Sequence, residues 1–275
     1  MQLFADAALS ARLEALAASE MRRFVQTARA LDAHSDATAL EVAGGVAAYL
    51  GAGSPVNQAV GLGMCGRVSA EEAHALEAFY ASRAQRGLAM VSPLADPSLL
   101  SVLAARGWTA DSFENVLVRE YLDAERFSGP EGVEVVEVVD DEMKAVWVQV
   151  AAIAFSAPLE PQPAQLELGR IVAARPHTCL LLALVDGRPA GTGELFIEDG
   201  VAWLSADATL PQFRRRGVQQ AMQARRLQLG ADAGCEFAVS EALPGSGSQR
   251  NMERVGFRVA YTRVDVVAPF PVQAQ

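Results

Sequence analysis

The sequence predicts an α/β (α+β) chain built from two similar domains. Three observations carry this reading. Apolar positions with helical and strand periods alternate through both halves of the 275 residues. A short stretch punctuated by Gly and Pro, Phe127-Ser-Gly-Pro-Glu-Gly132, separates them. Each half also carries a helix-Gly-aromatic-strand junction, Ala105-Arg-Gly-Trp108 and Arg254-Val-Gly-Phe257. A true repeat and convergence on a common junction both account for that echo. The expected domains are residues 1–128 and 129–275.

In the first half, residues 3–32 carry an apolar stripe at helical spacing (Leu9, Leu13, Leu16, Met21, Phe24, Val25 and Leu31). An apolar, Gly-containing stretch follows from Leu40 to Leu50, then a turn at Gly51-Ala-Gly-Ser-Pro55 and an expected strand from Val56 to Met64. Ser69-Ala-Glu-Glu72 reads as a helix N-cap with acids in the first turn, and that helix is expected to run to about Gln85. Leu88–Pro93 reads as a buried strand. Asp96-Pro-Ser98 opens a helix ending near Gly107, and Trp108–Tyr121 is a long strand or hairpin.

The second half repeats the alternation. Val133–Val139 alternates Val and Glu as a half-exposed strand does. A helix is expected over Asp140–Phe155, then a Pro-rich connection over 156–176 with a short helix at Gln165–Ala173. Cys179–Val185, Pro189–Ile197 and Val201–Ala208 read as three strands joined by Asp186-Gly187 and Asp199-Gly200 hairpin turns. A helix from Gly217 to about Leu229, a strand at Glu236–Glu241, a short helix at Ser246–Val255 and a strand or hairpin at Phe257–Val267 complete the series.

Composition bounds the function. Hydrophobic residues make up 51% and charged residues 20%, which suits a folded chain with a substantial core. A net charge of −10 argues against non-specific binding to nucleic acid or to an anionic membrane surface. No apolar run reaches the length of a membrane span. The three cysteines (Cys65, Cys179 and Cys235) form no Cys-x-x-Cys pair, so a reducing cytoplasm is the expected location. The scattered histidines (His34, His74 and His177) make no metal site.

The most informative segment is Leu210-Pro-Gln-Phe-Arg-Arg-Arg-Gly-Val-Gln-Gln-Ala-Met222. It leaves a strand, turns through three arginines and a glycine, and enters a helix. A glycine there lets the backbone approach a ligand, and successive N–H groups at the helix N-terminus point at an anion. An ordinary strand-to-helix turn with a solvated basic patch is equally open on this segment alone.

Three features in order make the second half similar to the GNAT superfamily of acyl-CoA-dependent N-acyltransferases. They are the meander from Cys179 to Ala208, the turn Arg214-Arg-Arg-Gly-Val-Gln219, and the closing Asn251-Met-Glu-Arg-Val-Gly-Phe257. The turn resembles the family's Arg/Gln-x-x-Gly-x-Gly/Ala loop. The resemblance covers about residues 130–268, and the first half resembles the same fold more weakly. It implies a tandem protein, each domain a mixed, mostly antiparallel sheet flanked by helices. The equivalent region of the first half, Gly61-Leu-Gly-Met-Cys-Gly66, lacks the arginine and leads into an acidic helix, so that domain is expected to be degenerate and to lack a CoA loop.

The resemblance also implies a site and a reaction. Acetyl-CoA, as co-substrate, would lie where strands Val201–Ala208 and Glu236–Glu241 splay apart. Its pyrophosphate would meet the N–H groups of Arg215, Arg216, Gly217, Val218 and Gln219, with charge from Arg214, Arg215 and Arg216. Its pantetheine arm would pair with strand backbone at Leu204, Ala206, Ala208 and Thr209, and Asn251 would contact it or cap the closing helix. Gln219 departs from the motif, where the family has Gly or Ala, and its side chain would either crowd the phosphates or bond to them. Amine acylation further needs a base and a proton source. The candidates are Glu194, an acid inside a central strand that is either cleft-facing or paired; Glu241, at the end of the splayed strand; and Tyr261, since Met252 occupies the usual tyrosine position. Asp207 is close to the implied thioester but reads equally as a turn or bulge residue. The implied partner is a primary amine of a small molecule or peptide, attacked directly in a ternary complex, and a homodimer is left open. The alternative is a CoA-binding sensor or scaffold with the fold and no chemistry.

Overall fold

The computed structural model describes residues 4–122, 124–156 and 160–269. Contacts divide the chain into two units. One comprises the residues up to Asn115 together with those from Ala260 onward, and the other is Val116–Val259. The break therefore falls inside strands, whereas the sequence places it in the linker at 128/129.

In the first unit, α1 (Ala7–Leu31) is a single helix. Asp6 caps it by accepting from the Leu9 N–H, and its Leu9, Leu13, Leu16, Met21, Phe24 and Val25 stripe is buried. Leu31, at the last turn, is exposed. Strands β1 (Thr38–Val42) and β2 (Gly45–Tyr49) form an antiparallel hairpin. The strand expected over Val56–Met64 shrinks to β3 (Ala59–Val60), because Gly61 and Gly63 take left-handed backbone angles that end it. Helix α2 (Ala70–Ala81) starts with a full capping box between Ser69 and Glu72. Strand β4 (Leu88–Val91), helix α3 (Ser98–Ala105) and β5 (Thr109–Glu120) follow. The strand last in sequence, β11 (Arg258–Val267), pairs antiparallel with β4, giving the order β1-β2-β3-β4-β11-β5. The core of this unit gathers Leu62, Leu76, Tyr80, Leu99, Leu103 and Trp108 between sheet and helices.

The second unit contains β6 (Glu134–Glu137), α4 (Asp141–Phe155), α5 (Pro163–Ala174), β7 (Thr178–Val185), β8 (Arg188–Glu198) and β9 (Val201–Thr209). A short 3-10 turn (Pro211–Phe213), α6 (Val218–Asp232), β10 (Phe237–Ala242) and α7 (Gly247–Arg254) complete it. Within the Pro-rich connection over 156–176, α5 starts on Pro163, whose missing N–H is harmless at a first helical position. Residues 157–159 of that connection lie outside the described residues. The sheet order is β5-β10-β9-β8-β7-β6, antiparallel from β6 through β9 and parallel between β9 and β10. Both hairpin turns have positive φ at both central residues, as right-twisted strands joined by two residues require. The part of β5 from Val116 onward lies beside β10 in this unit. Each unit is thus a mixed α/β layer structure, as expected, and the last strand of each half is built into the other half's sheet. Hydrogen bonding across strands, which ignores distance along the chain, is the reason the units part at 115/116 and 259/260.

Candidate active site

The site begins where two parallel strands part. β9 and β10 are paired only from Val201/Phe237 to Leu204/Ser240. At the end of the pairing Ser240 Oγ donates to the Leu204 carbonyl at 2.8 Å. Beyond it β9 runs on to Thr209 with its β10 side open.

A bulge creates the divergence. Against β8, Glu194 faces Ser205 and Thr192 faces Ala208, so Gly193 alone spans Ala206 and Asp207. Ala206 sits at φ +52°, a conformation disfavoured for a residue with a Cβ. Thr192 Oγ1 donates to the Ala206 carbonyl at 3.2 Å and holds the bulge from one side. Arg226, fully buried on α6, holds it from the other. Its guanidinium donates to the carbonyls of Glu194 at 3.1 Å and Ser205 at 3.0 Å and forms an ion pair with Asp207. Asp207 keeps its Oδ2 buried without a hydrogen-bond partner.

The arginine turn closes the other end. Arg215 (φ +62°) and Gly217 (φ +81°) both take left-handed angles, which turn the chain sharply into α6. Gly217 is the N-cap and supplies no side chain, so no side-chain acceptor takes the first N–H groups of the helix. A Cβ at 217 would lie 2.6 Å from Pro130 Cγ, so the linker proline packs against the turn and demands glycine there.

Between bulge and turn lies a cavity of about 820 Å³. Arg214, Arg215 and Arg254 line it together with Gly217 and Gln219, and so do Thr192, Asp207, Ala208, Thr209 and Phe155. The wall thus carries three guanidiniums, an open helix N-terminus and one carboxylate.

The expected ligand residues divide accordingly. Ala208, Thr209, Arg214, Arg215, Gly217, Val218, Gln219 and Asn251 line the cavity. Leu204 is buried in an apolar cluster with Leu227, Met252 and Phe257. Ala206 is the bulge residue itself, and Arg216 turns away to an exposed ion pair with Asp186 at 3.0 Å. The Gln219 side chain is engaged by α7. Its Nε2 donates to Ser248 Oγ at 3.3 Å and its Oε1 accepts from Asn251 Nδ2 at 2.6 Å.

The three expected catalytic side chains lie outside the cavity lining. Glu194 is buried and ion-paired with Arg175, itself buried, and its Oε2 accepts from Ser205 Oγ at 3.1 Å. It is the paired carboxylate of the two alternatives the sequence left open. Glu241 is half-buried on β10 past the last β9 pairing. Tyr261 belongs to the first unit, where its hydroxyl donates to the buried Glu14 at 2.8 Å. Burial, and then the Glu14 carboxylate, push its phenol well above the ordinary tyrosine range. Met252 is buried in the apolar cluster beneath α7. Trp147 and Trp203 are core residues: the Trp147 indole donates to the Leu181 carbonyl at 3.1 Å, and Trp203 stacks on Phe196.

Sequence reasoning did not anticipate Arg226, Arg175, Thr192 or Arg254. Arg254 had a usable signal, since 247, 251 and 254 share one face of a helix. Arg226 had none, because Arg225-Arg226 within a helix reads as a solvated pair.

Among known proteins, residues 145–257 match the Acetyltransferase (GNAT) family. The whole chain is similar in structure to a GCN5-related N-acetyltransferase from Kribbella flavida, at TM-score 0.67 and 22% identity, over 94% of this chain and 95% of that one. It is also similar to a GCN5-related N-acetyltransferase from Sphaerobacter thermophilus, at TM-score 0.54 and 18% identity, over 67% of this chain and 61% of that one. A tandem GNAT protein from the clavulanic acid biosynthesis pathway is similar at TM-score 0.54 and 16% identity, over 74% of this chain and 69% of that one. At these identities the structural likeness is one of fold. No curated protein matches by sequence.

Proposed function

With residues 145–257 forming a GNAT acetyltransferase domain, we propose that the protein transfers an acetyl group from acetyl-CoA to a primary amine of a small molecule or peptide. The observation that carries this reading is the arginine-lined cavity at the end of β9, where its pairing with β10 has stopped. Its open helix N-terminus and Arg214, Arg215 and Arg254 suit the phosphates of CoA. The unpaired edge of β9 near Ala208 and Thr209 suits the amides of the pantetheine arm. Asp207, the one carboxylate among the described residues of the cavity wall, suits a cationic amine.

Acetyl-CoA supplies the activated thioester, and the protein supplies placement and charge. The α6 N-terminus and the arginines fix the phosphates, so the thioester arrives in register at the bulge. The Asp207 carboxylate accepts a proton from the incoming ammonium, freeing its lone pair. The amine nitrogen bonds to the thioester carbonyl carbon, and as the carbon–sulfur bond breaks the second proton on nitrogen passes to the departing sulfur. The amide and the CoA thiol leave, Asp207 gives its proton to solvent, and Arg226 holds Asp207 in place throughout. Arg175 neutralises Glu194 in the neighbouring strand, which leaves Glu194 a structural role.

The first unit does not share this design. The N–H groups that open α2 are engaged by the Ser69–Glu72 capping box, and Glu71 and Glu72 stand where an anion would sit. We assign it no CoA site.

Met252, buried where the resembling family places a tyrosine, favours a second reading: a CoA-binding sensor without chemistry. Thermal unfolding with CoA, followed by thiol release across an amine panel, separates the two. CoA at a hundred times its Kd adds about 2.7 kcal/mol of stability. Stabilisation with thiol release supports the enzyme, and stabilisation without release supports the sensor. No stabilisation at millimolar CoA overturns both.

A further inference from the structure

Gln219 replaces the small residue that the phosphate-loop motif carries at its end, and the side chain is fully engaged. Its two amide atoms bond Ser248 and Asn251, both on α7. Asn251 in turn accepts from Arg254 Nη1 through its Oδ1 at 3.4 Å. Gln219, Ser248, Asn251 and Arg254 all line the cavity. They form one chain of hydrogen bonds from the first turn of α6 along α7 to an exposed guanidinium.

Helix α7 is tied at its C-terminal end by Arg119, whose Nε donates to the carbonyl of the C-cap Val255 at 2.6 Å, and the Gln219 bonds hold its other turns. It has eight residues, too few for autonomous helix formation, and Met252 is its one buried side chain. Its Ser246 cap satisfies its own first turn but ties it to nothing else. Among the polar contacts of Ser248 and Asn251, those to Gln219 are the ones that reach another element. A glycine or alanine at 219 would keep the backbone N–H groups and lose both bonds.

We propose that Gln219 is a positioning residue: it docks α7 onto the N-terminus of α6, so that Asn251 and Arg254 face the phosphate-bearing end of the donor. This rests on the CoA reading of the cavity. Restoring the motif's small residue should therefore weaken donor binding, although it removes bulk beside the phosphates.

The test is a double-mutant cycle on the full-length protein, read by calorimetric titration with CoA. Gln219→Ala, Gln219→Gly and Asn251→Ala are each expected to raise the CoA Kd about fivefold to tenfold, the range for losing about one net hydrogen bond. The Gln219→Ala/Asn251→Ala double variant should be no worse than either single change, because both break one linkage. The salt dependence of the Kd should become shallower in Gln219→Ala, since Arg254 no longer faces a phosphate. A mere loosening of the fold would not alter that dependence. Unchanged or tighter CoA binding by Gln219→Gly overturns the proposal and marks the side chain as an obstruction. Strictly additive losses overturn it as well. Asn251→Ala, a surface change on α7, keeps the question answerable if the Gln219 variants fold poorly. Wild-type protein that fails to bind CoA removes the CoA reading itself, whereas tight wild-type binding with an indifferent Gln219 removes only this linkage.

Discussion

Arg226 and Asp207 are buried ionic partners beneath a strand bulge, and each depends on the other. Arg226→Met strands the Asp207 carboxylate and two carbonyls, Glu194 and Ser205, that now accept from the guanidinium. Removing one member of a buried pair typically destabilises by about 3–5 kcal/mol. Urea unfolding should show a loss of that size, and a loss below about 1 kcal/mol would mean the pair is not formed. Asp207→Asn preserves shape and removes the proton acceptor. Turnover should fall at least about 100-fold with CoA affinity retained; unchanged turnover would transfer the role to another group. At this scale the sequence was informative in part. It marked Glu194 as a carboxylate in need of either a cleft or a partner. It did not name Arg175, which lies 19 positions earlier, because pairing across space leaves no spacing signature. It also weighed Asp207 as either a turn or bulge residue or a reacting group; Asp207 lies in the bulge and lines the cavity.

The arginine turn shows what an element adds to its residues. The anion-binding role we propose for it rests on backbone angles at Arg215 and Gly217 and on a helix start without a side-chain cap. Gly217→Ala would force a Cβ into the left-handed region and against Pro130. It should lower stability by about 1–3 kcal/mol and weaken CoA binding together. Intact stability would show that the linker yields. The elements themselves were legible: helices from the 3.6-residue stripe, hairpins from Asp-Gly pairs, and the turn from its glycine. The β9 bulge was legible only as one alternative at Asp207, because a bulge is a mismatch between two strands and neither strand records it alone. The brevity of β3 was missed for a related reason. Val56–Met64 is apolar enough for a strand, yet glycine backbone angles decide where it stops.

At the scale of the whole molecule, burial raises the phenol pKa of all four tyrosines, Tyr49, Tyr80, Tyr121 and Tyr261. The sign follows directly. In the unfolded chain tyrosine ionises near pH 10, whereas in the folded protein ionisation is deferred to higher pH. This contribution to stability is complete below about pH 10 and is lost as pH rises beyond it. Tyr80, Tyr121 and Tyr261 should therefore contribute no phenolate absorbance near pH 10 in native protein, and their absorbance should appear together with loss of the circular dichroism signal. Separate titration of these three in folded protein would contradict the burial. The composition of the two units makes another prediction. A cut at 128/129 leaves residues 129–275 without the β5 residues beside β10, and leaves residues 1–128 without β11 beside β4. Each fragment alone should unfold without cooperativity, and mixing them should restore a sharp transition. The sequence announced two similar halves and a linker, but strand adjacency is set by sheet order, and no residue in β5 or β11 names its neighbour.

That traded pair of strands bears on how such a gene can change. Two copies of a fold joined end to end are ordinarily expendable one at a time, and an idle copy drifts until it is deleted. Here deletion of either copy removes a strand from the survivor. With chemistry confined to the second half, as we propose, the first half is retained because it completes the other's sheet, and its sequence is constrained along the borrowed edge as well as in its own core.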